Sequence, residues 1–105
     1  MSTLSTHVLD AVRGVPATGV TVTLYAGVEP VATAVTDADG RIGALGPALA
    51  PGAYRLVFDT GAYFAAHQVE AFFPEVAIAF VVGDERHYHV PLLLSPFAYS
   101  TYRGS

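Results

Sequence analysis

HYHVPLLLSPFAYSTYRGS, residues 87–105, closes the chain and carries its plainest strand alternation. Side chains of an extended strand point to opposite faces in turn. Val90, Leu92 and Leu94 therefore fall on one side, and His87, His89, Pro91 and Leu93 on the other. The first set reads as core. The second puts imidazole on a face shared with proline and leucine, which is expected to be covered rather than open to water. Past the Ser95-Pro96 break, the run from Tyr99 to Arg103 is too rich in aromatic and β-prone residues for a disordered tail and predicts a final strand. The terminal carboxylate would then lie close behind Arg103, near the histidine face.

Upstream, Val76 to Val82 follows the Phe72-Phe73-Pro74-Glu75 corner and is apolar on both faces, which predicts a strand covered on both sides and hence a subunit interface. Gly83 to Arg86 turns the chain into residue 87. Gly52 to Asp59 predicts a strand with Tyr54, Leu56 and Phe58 on one face. Thr60 to His67 predicts the one short helix, with Thr60 able to cap it and Tyr63, Phe64 and His67 at helical spacing. Val31 to Thr36 and Gly19 to Tyr25 predict two more strands, the latter burying Val20, Val22 and Leu24. Between Val31–Thr36 and Gly52–Asp59, Asp37, Asp39 and Gly40 predict a tight turn presenting Arg41, and Ile42 to Pro51 predicts an irregular connection. Asp10 to Thr18 predicts a loop. Leu4 to Leu9 predicts the first strand, with Leu4, Thr6 and Val8 on one face and Ser5, His7 and Leu9 on the other. About eight short strands and one helix in a single domain, residues 1–105, predict an all-β fold, a two-sheet antiparallel β-sandwich.

The 105 residues are 52% hydrophobic and only 13% charged, against roughly 25% charged in ordinary domains. A small domain this apolar is expected to bury surface against copies of itself. All five basic residues are arginines and the net charge is -4, which leaves no basic stripe for nucleic acid or an anionic membrane. Cysteine is absent, so thiolate chemistry and disulfides are excluded. No basic and apolar secretory leader opens the sequence, and no run is long enough to span a bilayer, so a cytoplasmic location follows by default.

Gly-x-Ser-x-Gly and glycine-rich phosphate loops are missing, leaving histidine and arginine to carry any chemistry. His87 and His89 project the same way and could bind a metal, with His7 as a third ligand. Two histidines are short of the three or four that zinc requires, so a packed or solvated pair is the better reading. His7 and His89 each sit mid-strand among covered residues, where an imidazole of near-neutral pKa can move a proton between water and a leaving group. Arg41 could hold a developing oxyanion. On pattern alone, hydrogen-bonded histidines and a surface arginine remain the plainer account.

Four segments, LSTHVLD at 4–10, TDADGR at 36–41, FFPE at 72–75, and HYHVPLLLSP with YSTYRGS across 87–105, resemble the 5-hydroxyisourate hydrolases, the transthyretin-like enzymes of urate breakdown. The terminal YRGS is the most specific, being similar to the signature of the enzyme branch. The resemblance implies a transthyretin-like sandwich, a homotetramer built as a dimer of dimers, and active sites in the channel between dimers. It implies catalytic roles for His7, Arg41 and His89, substrate contacts from Tyr102, Arg103, Gly104 and Ser105, a small purine-derived substrate, and no metal or organic cofactor. His87 has no role in that pattern. A transthyretin-like carrier of small aromatic ligands is the alternative, and a purely structural sandwich ranks behind it.

Overall fold

The computed structural model describes every residue, Met1–Ser105. Its strands are β1 (Thr3–Asp10), β2 (Val15–Pro16), β3 (Thr21–Ala26), β4 (Glu29–Val35), β5 (Arg41–Ile42), β6 (Gly52–Phe58), β7 (Val76–Val82), β8 (His87–Leu94) and β9 (Tyr99–Thr101), and the single helix is α1 (Thr60–Ala66). The two-residue strand β2 lies inside the expected loop, and β5 joins Arg41, at the end of the expected tight turn, to the first residue of the connection expected to be irregular. One sheet runs β2-β1-β8-β9 with β5 also paired to β1, and the other runs β4-β3-β6-β7.

Every pairing is antiparallel except one. β1 and β8 are parallel over their whole length, from Thr3 opposite His87 to Asp10 opposite Leu94. Parallel neighbours need a long crossover, and here the whole second sheet and the helix supply it.

The core lies between the sheets and follows the alternation. Tyr88, Val90, Leu92 and Leu94 of β8 point inward with Leu4 and Val8 of β1, against Val22, Leu24, Leu56 and Phe58 of the other sheet. Leu92 is 0% exposed, and cutting such a side chain to alanine costs about 2–5 kcal/mol. Two polar residues share the inner face of β1, and both are satisfied. Thr6 Oγ1 donates to the Val90 carbonyl at 2.7 Å. Asp10 accepts from the Val12 and Arg13 amides at 3.1 and 3.0 Å and from the Tyr63 hydroxyl at 2.8 Å, tying α1 to the first sheet. Burial and the neighbouring Asp10 carboxylate raise the Tyr63 pKa, so the phenol stays a donor.

The helix cap differs from expectation by one residue. Asp59, whose side chain accepts from the Ala62 amide at 3.3 Å, caps α1. Thr60 is instead the first helical residue, and its buried hydroxyl has no partner. A carboxylate facing the helix N-terminus also gains from the helix dipole, which a hydroxyl does not.

Candidate active site

The outer face of the first sheet collects the polar residues that alternation removes from the core. Thr3, Ser5 and His7 project from β1, and the parallel register sets Ser5 opposite His89 and Thr3 opposite His87. On the other flank of β1, β5 pairs His7 with Arg41. Arg41 is placed by the turn before it. Asp37 Oδ1 accepts from the Asp39 and Arg41 amides, both at 2.9 Å, and Gly40 takes a φ of 72° that favours glycine. The Gly40 carbonyl accepts from the Val8 amide at 2.7 Å, which fastens the turn to β1.

The two β8 histidines are joined through Ser5. Its Oγ stands 2.7 Å from Nδ1 of His89 and 2.8 Å from Nε2 of His87, whose Nδ1 is 2.6 Å from Thr3 Oγ1. With Nδ1 engaged, His89 keeps Nε2 without a partner in the chain. Gly104 closes the other side: its amide donates to the His89 carbonyl at 2.8 Å. A Cβ on Gly104 would lie 2.5 Å from His89 Cδ2, so only glycine fits against the ring.

A cavity of about 260 Å³ opens on this face, walled by Ser5, Arg41, His87, His89 and Ser105, with Ile42 its only hydrophobic side chain. Burial, and then the charges of Arg41, His7 and His87, lower the His89 pKa below the usual 6.5. The imidazole is thus neutral near physiological pH and able to accept a proton.

Of the residues expected at the site, Arg41, His89 and Ser105 line this cavity. His7 stands beside them across from Arg41, and Gly104 packs on the His89 ring. Tyr102 and Arg103 turn toward a second, more apolar cavity of about 490 Å³ that also touches His89, between β7 and the β8–β9 side. There Arg103 lies over the Tyr88 ring at 5.3 Å and pairs with Glu85 at 3.5 Å. No cluster of three or more His, Cys, Asp or Glu side chains is placed to hold a metal ion. Reasoning from sequence gave Ser5 and Thr3 no role at the site and weighed His87 only as a metal ligand. Alternation already put Ser5 with His7 and His87 with His89, but only the parallel register makes the two pairs neighbours.

Residues 4–104 match the model of the HIUase/Transthyretin family. The chain belongs to that family. A 5-hydroxyisourate hydrolase of Salmonella dublin is 50% identical over 109 residues, covering 97% of this chain and 80% of the relative. The solved structure of Klebsiella pneumoniae 5-hydroxyisourate hydrolase superposes with a TM-score of 0.94 at 48% identity, covering 100% of this chain and 94% of that one. Sea bream transthyretin in complex with thyroxine superposes with a TM-score of 0.84 at 35% identity, covering 96% of this chain and 93% of that one. The transthyretin-like sandwich expected from the sequence is thus the fold of this family member, and none of its helices is long and apolar enough to cross a membrane.

Proposed function

We propose that this chain is a cytoplasmic, homotetrameric 5-hydroxyisourate hydrolase. It opens the six-membered ring at the amide next to the hydroxylated carbon and yields 2-oxo-4-hydroxy-4-carboxy-5-ureidoimidazoline. The observation that carries this reading is a neutral imidazole, His89, sharing one polar cavity with the Arg41 guanidinium. The hydrolase names of the Salmonella and Klebsiella relatives support it.

In this mechanism His89 and His7 orient a water, and the free Nε2 of His89 takes its proton as the oxygen attacks the ring carbonyl. Arg41 faces the oxyanion that forms, the type of contact whose loss costs about a hundredfold to a thousandfold. The carbon–nitrogen bond breaks, and the imidazolium returns its proton to the leaving nitrogen. Ser105 and Gly104 shape the pocket, and Tyr102 and Arg103 hold substrate from the adjoining cavity.

The test is to form 5-hydroxyisourate from urate with urate oxidase, add the protein and follow the intermediate's absorbance against spontaneous decay. Faster decay, largely abolished by His7→Ala, Arg41→Ala or His89→Ala in folded protein, is expected. Unchanged decay, with thermal stabilisation by iodinated phenols, would favour a carrier, a reading that the polar lining of the Arg41 cavity disfavours.

A further inference from the structure

Taking a proton from the attacking water makes His89 an imidazolium for part of each turnover. That charge forms in a cavity where burial, Arg41 and His7 already oppose it. An unbroken line of hydrogen-bonding atoms leads out of it. From His89 Nδ1 the line passes to Ser5 Oγ, then to Nε2 of His87, across that ring to Nδ1, and on to Thr3 Oγ1, with spacings of 2.7, 2.8 and 2.6 Å. Its inner end is screened, since Ser5 is buried, whereas His87 and Thr3 are exposed.

We infer that Ser5 and His87 form a proton relay that connects His89 to solvent, with Ser5 also fixing which nitrogen of His89 faces substrate. The inference rests on the hydrolase reading above. A serine hydroxyl has one proton to give and lone pairs to accept another, so it can accept from one imidazole while donating to the other. When His89 takes the attacking water's proton at Nε2, its Nδ1 proton passes to Ser5 and the Ser5 proton passes to Nε2 of His87, so the positive charge moves from the ring beside Arg41 to the exposed ring of His87, whose Nδ1 stands 2.6 Å from Thr3 Oγ1. When the Nε2 proton of His89 goes to the leaving nitrogen, the other two protons return along the same line, and both rings end neutral in their starting tautomers. Ser5 and His87 are positioning and relay residues and need not touch substrate.

The experiment uses the 5-hydroxyisourate decay assay in dilute, non-transferring buffer and then with added imidazole. His87→Ala is expected to lower kcat on the order of a hundredfold, the low end of what positioned proton transfer contributes, with KM little changed. Added imidazole restores the rate in proportion to its concentration, while the unsubstituted protein ignores it. Ser5→Ala loses rate similarly, and Ser5→Thr, which keeps the hydroxyl, retains it. A His87→Ala rate equal to that of the unsubstituted protein, or a loss that imidazole does not repair, overturns the relay. An unsubstituted protein no faster than spontaneous decay fails the hydrolase reading instead. The relay is then decided by ring-nitrogen NMR, in which His87 and His89 titrate as a coupled pair that Ser5→Ala uncouples; independent titration overturns it.

Discussion

His89 is constrained from three sides, and each constraint has its own consequence. Ser5 holds Nδ1, Gly104 packs against the ring, and Arg41 and His7 add positive charge beside it. Burial and these charges disfavour the imidazolium, so on acidification His89 protonates only below the ordinary 6.5. The rate is therefore expected to hold through neutral pH and to fall only below that value. Arg41→Met removes the second-largest cause, so the His89 Cε1 proton resonance should titrate at a higher pH than in the unsubstituted protein; an unmoved midpoint would show that the Arg41 charge takes no part in the shift. The Gly104 contact predicts a different effect. Gly104→Ala must push the ring aside, because the new Cβ would stand 2.5 Å from Cδ2. Misplacing a reacting group by about an ångström costs on the order of a hundredfold in rate. Steady-state kinetics on a variant with unchanged melting should show that loss, and full activity would mean the terminus moves instead.

At the scale of elements, the fold was legible wherever alternation alone decides burial. Val22 and Leu24 in β3, Leu56 and Phe58 in β6, and Val90, Leu92 and Leu94 in β8 all point inward as period two requires. Pairing was not legible in the same way. That β1 lies parallel to β8 depends on how the intervening chain wraps, and no local pattern near residue 3 or residue 87 encodes it. For the same reason His7, His89 and Arg41 could be named from sequence while the Thr3–His87–Ser5–His89 chain could not: its members meet only through that register. The helix cap was misjudged because Asp59 and Thr60 are both good caps, and the backbone chose the acid. Tyr63 carries the helix's one tie to β1, donating to the buried Asp10 carboxylate. Tyr63→Phe is expected to destabilise by about 1.5–3 kcal/mol, the range for a hydrogen bond to a charged group, read from the denaturation midpoint at unchanged m-value. A negligible shift would mean the two backbone amides satisfy Asp10 alone.

For the molecule as a whole, both sheets present an open edge beside each other at β7 and β9. β7 pairs only with β6 and β9 only with β8, so both sheets end there with free backbone donors and acceptors. Exposed edges of this kind invite pairing unless charge or proline blocks them. Here the adjoining surface is apolar: Val81 is 73% exposed, Phe97 64% and Tyr102 60%. The covering expected for Val76 to Val82 is half supplied from inside the chain, since Val76 and Val82 are buried while Ala77, Ala79 and Val81 face outward. A second copy offering the same edge would complete both sheets at once, consistent with the proposed homotetramer. Val81→Lys puts a charge on that edge without touching the core. Light scattering after gel filtration should then report smaller species than the unsubstituted protein, whose mass should be four times that of the chain. Hydrolysis should fall with assembly, because the proposed active sites lie between dimers. If the variant stays tetrameric, this edge is not where the subunits meet; if it dissociates and keeps full activity, the cavity around His89 is complete within one chain.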